Sequence, residues 1–529
     1  MFDLIIRNGQ IIDGTGKARF SADVGIRDAL IADIGDLSEA VGKVEIDATD
    51  QVVTPGFIDV HNHSDGWMHR LPLLESKVRQ GFSTEVLMAD GLGYAPVSQF
   101  TATDWMYYLR TLDGLRMTDY RGWQTLQEFM TPLDRGNCQN SAFHVPYANL
   151  RSLAAGFGRA PLDDYQMQSV CRELRTGMEA GAVGLSTGLD YIVECFSSTE
   201  ELVEVCRAMA EYNGLYVTHV RYRKGTIEGV QEAVEIGRRA GVAVHISHLK
   251  AQNAEQVQPL LEYIDREARQ QVDFSFDVYP WQRSSTMLSS LLPYEVWEEG
   301  PLGVPGRLRV PEIRERFRAS LQAYRLPLDK MIIGWTAASG AEEFEGRTLE
   351  EFVRSTGRDA ADALIDLLQE AGLGVLLVFH NGDDELVEPF LQHDLQMLGT
   401  DGILVDHGVP HPRQYGSTGR FLGQLVRDRG LMSLETAVRK LTGWPAERFG
   451  LNDRGVLQSG KAADIVVFSA DQIDTDSDYQ NPCQWTSGVS HVVVNGELIL
   501  RGGVVRDVAS DETRTRQLPG RFLRSRRCN

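Results

Sequence analysis

The sequence has no run of eighteen or more apolar residues, so no helix is expected to cross a membrane. Its six cysteines, at 138, 171, 195, 206, 483 and 528, form no CxxC pair and no finger-type spacing. They read as free thiols in a reducing compartment, and a cytoplasmic location is expected. The first residues, MFDLIIRNGQIIDGTG, carry an acid at position 3 and no basic stretch ahead of a long apolar one, so no signal peptide is expected. Positive charge is also in short supply. Against 74 acids stand 53 Lys and Arg, a formal charge of −21. That balance argues against nucleic-acid and anionic-membrane partners.

What is present is a chain of 529 residues, 42% hydrophobic, enough for a large core and more than one small domain. Residues 2–53 read as short strands and turns, with Asn8-Gly9 as a hairpin signal. GVLQSGKAADIVVF and HVVVNGELILRGG near the other end read the same way, with Asn495-Gly496 as the turn. Residues 1–54 and 455–510 are therefore expected to form one small β-sandwich domain from both chain ends. Between them short apolar strands alternate with helices. The helix STEELVEVCRAMAEYNG shows the pattern, with Ser198 or Thr199 as N-cap and Asn213-Gly214 as its stop. Alternation on this scale predicts a parallel sheet, and residues 55–454 suit a (β/α)8 barrel. A Pro- and Gly-rich stretch, about 287–345, reads as an insertion over the barrel mouth. The basic end, 511–529, reads as a flexible tail.

The stretch TPGFIDVHNHSD places His61 and His63 one residue apart after an apolar run. Alternate residues of a strand share a face, so both imidazoles are expected to point inward at the C-terminal mouth, with Asp59 in the same parity. Two neutral imidazoles at this spacing suit one divalent metal. Four other strands end in polar residues: VLMADG in Asp90, YVTHVR in His219, VHISHLK in His248 and QMLGTDG in Asp401. Gly184-Leu185-Ser186-Thr187-Gly188 fits the GxSxG string of serine hydrolases. No oxyanion loop and no later Asp–His order accompanies it, so no serine nucleophile is expected.

HxH after the first strand, single histidines after the fifth and sixth and Asp after the eighth resemble the amidohydrolase superfamily. GAVGLSTGLDY, STEELVEVCRAMAEYNGLYVTHVR, HISHLK, PHPRQYGSTGRFLG and AERFGLNDRGVLQSGKAADIVVF resemble its N-acyl-D-amino-acid deacylase branch, over nearly the whole chain. The resemblance implies one or two zinc ions. His61, His63 and Asp401 match one metal position, and His219 and His248 match the other. Where these deacylases carry a metal-binding cysteine, this chain has Asp90. Zinc accepts either ligand, but Asp before Gly also suits an ordinary turn, so both roles stay open for Asp90. The fourth strand offers no lysine to bridge two metals.

The resemblance further implies Asp401 as the base that takes a proton from water and returns it to the leaving nitrogen. It assigns Tyr191, Lys250 and Ser285 to the substrate carboxylate and Tyr279 to the reacting carbonyl. The implied substrate is a small amide bearing a carboxylate, an N-acyl-D-amino acid. Arg221, Arg223, Lys224 and Arg283 add positive charge near the same rim, which suits an acidic side chain or a solvated face. Two alternatives stand beside this reading: hydrolysis of cyclic amides or imides, and a non-catalytic relative acting as an assembly protein.

Overall fold

A computed structural model of the chain describes residues 1–323, 327–508 and 517–527. Both ends of the chain enter one nine-stranded sheet. Val52–Pro55 joins them, parallel to Phe2–Ile11 on one side and antiparallel to Ile465–Phe468 on the other. Alternating apolar residues from both ends, among them Leu4, Ile6, Val24, Val53, Ile465, Val467 and Val493, share one buried cluster. The alternate residues Val52, Val466, Phe468, Val492 and Val494 join the main core instead, so the middle of this sheet is covered on both faces.

The two Asn-Gly pairs behave differently. Asn495-Gly496 turns Val489–Val494 into Glu497–Arg501, as expected. Asn8-Gly9 makes no hairpin. It lies inside the single strand Phe2–Ile11, and the register against Phe20–Arg27 slips between Ile6 and Gly9. The N–H of Asn8, with φ at 61°, donates to Asp23 Oδ1 at 2.8 Å. A side chain takes the backbone group that a turn would have satisfied, and the result is a bulge.

Eight parallel strands follow in chain order: Phe57–Asp59 with Asn62–His63, Phe82–Leu87, Asn140–Phe143 with Val145–Pro146, Gly184–Gly188, Leu215–His219, Ala243–Ile246, Phe274–Asp277, and Gln396–Met397 with Gly402–Ile403. Each pairs with the next. The last returns to the first, with Gly402 opposite Asn62 and Ile403 opposite His63. The ring is interrupted at 60–61, at 144 and at 398–401. These breaks matter for function. Ile58 and Val60 join Val217 and Met397 in an interior apolar cluster. Beyond the break the facing changes, and His61 and His63 reach the mouth. Asp59 does not accompany them. It is buried against Lys77 of the helix Glu75–Val78 and accepts from Thr400 Oγ1 at 2.6 Å. Strand parity fails across an irregular step.

The excursion between the seventh and eighth strands spans residues 278–395, longer than the 287–345 expected. Ser284–Met287 and Met331–Thr336 flank Val375–Phe379 in an antiparallel sheet. The helices Leu349–Thr356 and Ala360–Glu370 have ordinary amphipathic periodicity, so composition does not mark them as inserted.

The tail expected over 511–529 is not loose over its described part. Residues 517–527 run along the barrel: Ser141 N donates to Arg521 O at 2.9 Å, Leu523 N to Ser141 O at 2.8 Å and Ser525 N to Gly181 O at 2.9 Å. Leu523 is buried and Phe522 lies 5.4 Å from Phe143. Apolar residues between the arginines hold it down. The rest of that expected tail, 511–516 and 528–529, lies outside the described residues. Among the described residues no helix is long and apolar enough to cross a membrane.

A candidate metal centre at the barrel mouth

Asp90 lies at the centre of the mouth. Its carboxylate is 3.5 Å from His61 Nε2, 3.9 Å from His63 Nε2, 3.9 Å from His219 Nδ1 and 3.6 Å from His248 Nε2. Asp401 Oδ1 lies 3.3 Å from His63 Nε2 and 3.8 Å from His61 Nε2. Three buried or nearly buried groups have ligand atoms within 4.8 Å of one another: His61, His63 and Asp90; Asp90, His219 and His248; His61, His248 and Asp401. Asp90 is common to the first two, the place of a bridging carboxylate.

Polar atoms here are left without partners. Both ring nitrogens of His61 and Oδ1 of Asp90 are buried without a hydrogen-bond partner. His219 Nδ1 and His248 Nε2 face one another at 3.0 Å. Buried polar atoms ordinarily find partners. Imidazole and carboxylate in this arrangement are the donor set of zinc, and the residues present fit such an ion. The backbone is bent to the same end. Asp90, His248 and Asp401 have φ of 56°, 36° and 49°, a left-handed region uncommon for non-glycine residues and enriched at functional sites.

Behind the ligands stand carboxylates that sequence reasoning missed. Asp113 Oδ1 lies 3.2 Å from His63 Nδ1, Asp277 Oδ2 3.5 Å from His61 Nδ1, and Asp190 Oδ2 3.6 Å from His219 Nε2. Such partners fix the orientation of an imidazole and raise its basicity. Asp277 also takes the N–H of His248 at 2.9 Å and His245 Nε2 at 3.0 Å. Asp277 ends the seventh strand, so the rule that found Asp90 and Asp401 would have found it too. Asp113 follows a helix in a loop and carries no such signal.

The electrostatics follow from this crowding. Burial disfavours charge on His61, but Asp90 and Asp277 outweigh it and hold its pKa well above the usual value. Burial also opposes charge on His63, yet Asp113 and Asp401 push it up to about 10. His248 is lowered, burial winning over Asp90. Burial would raise Asp90, but His61 and His248 hold it well below the carboxylate range. Burial is likewise overcome at Asp401, which Arg413, His63 and His61 bring down to about 2.

A cavity of about 290 Å³ opens beside the cluster. Asp90, His63, His219, His248 and Asp401 line it, and so do Tyr191, Lys250, Tyr279 and Ser285. His61 lies behind them. Lys250 Nζ donates to Tyr279 Oη at 2.5 Å and to the carbonyls of Trp281, Gln282 and Arg283 at 3.3, 3.0 and 3.3 Å. Burial, aided by Arg413, lowers its pKa well below that of a free lysine. Ser285 reaches the cavity, but its hydroxyl donates to Leu377 O at 2.8 Å. Tyr191 Oη meets Thr286 Oγ1 at 3.3 Å. Arg413, also missed from sequence, pairs with Asp401 Oδ2 at 2.8 Å and lies over Tyr279 at 4.5 Å.

Of the four other rim cations only Arg223 lines the cavity. It lies over Tyr294 and donates to Ser290 O at 2.5 Å. Arg221 is buried on the carbonyls of Leu189, Cys195 and Ser197 and on Glu232. Lys224 is 3.8 Å from Glu232, and Arg283 lies over Tyr479 at 4.0 Å.

Comparison with known proteins identifies the family. An N-acyl-D-glutamate deacylase of Alcaligenes xylosoxydans xylosoxydans is 34% identical over 498 residues, covering 93% of each chain. The crystal structure of an N-acyl-D-glutamate deacylase from Bordetella bronchiseptica, complexed with zinc and a phosphonate mimic of the tetrahedral intermediate, superposes with a TM-score of 0.82. It is 32% identical, with 99% of this chain and 100% of that one covered. A D-aminoacylase structure described for its binuclear metal centre, 29% identical, gives a TM-score of 0.81 with 99% and 100% covered. The profile of the Amidohydrolase family matches residues 44–500. With eight parallel strands converging on these histidines and aspartates, the chain belongs to the amidohydrolase family.

Proposed function

We propose that the chain is a zinc-dependent hydrolase that cleaves the amide bond of N-acyl-D-amino acids. One observation carries the reading: two His–Asp groups sharing Asp90 face a buried Lys250 across one cavity. The relatives' names supply the substrate class. In this reading His61, His63 and Asp401 serve one metal position and His219 and His248 the other, with Asp90 between them. Residues 55–454 form the catalytic unit, and residues 1–54 and 455–508 the small β domain; 509–510 of the expected domain lie outside the described residues. The described cysteines, 138, 171, 195, 206 and 483, are free, which suits the cytoplasm.

When bound, the metal supplies Lewis acidity, acidifying a water and polarising the amide carbonyl. The chain's own residues do the rest. Asp401 is ionised at neutral pH and holds Oδ1 toward the histidines while Oδ2 is tied to Arg413. It accepts the water proton. An acid of such low pKa gives that proton up readily to the leaving nitrogen. Lys250, Tyr191 and Ser285 receive the α-carboxylate, and Tyr279 stands near the carbonyl. Ser285 must first release Leu377 O to do so.

A kinetic panel on the zinc-loaded protein tests the proposal. Turnover of N-acetyl-D-amino acids and little of the L forms is expected. Turnover of hydantoins or lactams alone would transfer the chain to the cyclic amides. A protein that takes up no stoichiometric zinc would speak for a non-catalytic relative.

A further inference from the structure

Asp90 sits in a backbone conformation that a free turn would not keep. Met88, Asp90 and Gly91 have φ of 63°, 56° and 70°, all left-handed. Residues in such regions persist only where their surroundings over-determine them. The fourth barrel strand, Gly184–Gly188, does this. Ser186 Oγ donates to Met88 O at 2.6 Å and accepts from Gly91 N at 3.2 Å, so one buried hydroxyl closes the turn from both ends. Two residues on, a Cβ at Gly188 would stand 2.3 Å from Asp90 O, so backbone lies directly on backbone there. Glu194 backs the same turn from below. Its Oε2 accepts from Gly188 N at 2.7 Å, and its Oε1 would stand 2.1 Å from a Cβ at Gly91. The GxSxG string thus has a use that is not nucleophilic: Ser186 and Gly188 both face the turn that carries Asp90.

We propose that Ser186 is a positioning residue for Asp90, its hydroxyl holding the Met88–Gly91 turn so that the carboxylate points at all four histidines. The inference rests on the metal-site reading above. It separates Ser186 from residues that merely fill the core, because the effect must pass through Asp90.

The test is a double-mutant cycle read as metal affinity. Zinc and cobalt dissociation constants are measured by competition with a chromophoric chelator for the wild type, Ser186→Ala, Asp90→Ala and the double variant, together with the visible cobalt spectrum. Loss of a partner behind a ligand costs about 10- to 100-fold in affinity. Ser186→Ala is expected to show that loss, and a changed cobalt spectrum, in the wild-type background. In the Asp90→Ala background it should show almost none, since coupled residues are non-additive. An equal loss in both backgrounds, or none in the first, overturns the proposal while the metal site stands. A wild type that binds neither ion overturns the metal reading and this inference with it. Should Ser186→Ala fail to fold, Ser186→Cys keeps the size while weakening both hydrogen bonds to the turn, and is judged by the same two outcomes.

Discussion

The two ends of the cavity are built on opposite plans. At the metal end, buried polar atoms of His61 and Asp90 have no hydrogen-bond partner, and Asp113, Asp277 and Asp190 stand behind the rings. At the other end two polar residues facing the cavity are already engaged. Lys250 gives its protons to Tyr279 and three backbone carbonyls, and Ser285 gives its own to Leu377. The first end is pre-organised and incomplete, as a site awaiting an ion would be. At the second, Lys250 and Ser285 are satisfied within the chain, and a carboxylate gains from them only by displacing partners already in place. Changes at the metal end should therefore abolish rate or metal. Changes at the lysine end should alter preference more gently.

The largest effect is expected at Asp401, which serves the metal end and the proton transfer together. Asp401→Asn keeps the size and loses the base. kcat should fall by at least ~10²-fold, the lower bound for a general acid–base group. Wild-type turnover with normal metal content would remove Asp401 from the proton path and erase much of the contrast between the ends.

Next comes Asp90. Asp90→Ala should lose more than ~10²-fold in metal affinity, beyond the usual cost of a supporting partner, because it faces four imidazoles at once. Asp90→Cys should keep zinc and part of the turnover, since thiolate is a good zinc ligand. Metal content and turnover of the three proteins side by side decide the point. An alanine variant that matches wild type in both would make Asp90 a turn residue after all.

The contrast between the ends also explains what could be read from sequence. His61, His63, His219, His248, Asp90 and Asp401 were legible because each follows an apolar strand, and strand ends converge at one mouth. Asp277 obeys the same rule and was passed over. Asp113 comes from a loop and Arg413 from the start of the helix Arg413–Thr418; their approach depends on the closed ring, and nothing local marks them. Lys250 and Ser285 were found as residues, but not as donors already engaged, since their partners are backbone carbonyls of the inserted segment. The same limit governed the fold. Periodicity identified the barrel and the terminal sheet. It could not tell that Asn8-Gly9 is a bulge, which depends on Asp23 fifteen residues away. Nor could it see that Phe522 and Leu523 dock the basic tail.

A smaller effect should follow from the outer carboxylates. Asp113→Asn leaves every ligand in place and loosens the hold on His63, for a loss of about 10- to 100-fold in metal affinity. The sign of the pH dependence follows from His63. Its pKa is raised to about 10, against 6.5 for a free ring, by Asp113 and Asp401. Without metal the ring is charged at neutral pH, and zinc needs it neutral. Affinity should therefore rise with pH toward that value, with protons released on binding. Calorimetry at pH 7 in buffers of different ionisation enthalpy should detect that release, reduced in Asp113→Asn. No release would mean that His63 is not a ligand.

The smallest effect is expected at Lys250. A charged hydrogen bond contributes about 1.5–3 kcal/mol, which is roughly 10- to 100-fold in binding. Here the low end applies. A substrate carboxylate that binds the ammonium takes it from Tyr279 and from carbonyl oxygens that already solvate it, so only the difference between old and new partners counts. The buried amine must also stay protonated, against a burial that lowers its pKa. Lys250→Ala should therefore raise KM for N-acyl amino acids by about 10-fold while changing KM for the matching amides or esters little, since only the acids carry a charge to pair. kcat should move less than KM, because the contact is made before the amide reacts. Removing the lysine also strands the carbonyls of Trp281 and Gln282, which costs stability, so the variant's melting temperature is measured alongside. Equal losses on acids and amides would show that Lys250 props up the inserted segment and does not read the carboxylate. The two ends of the cavity would then differ in kind, one chemical and the other only structural.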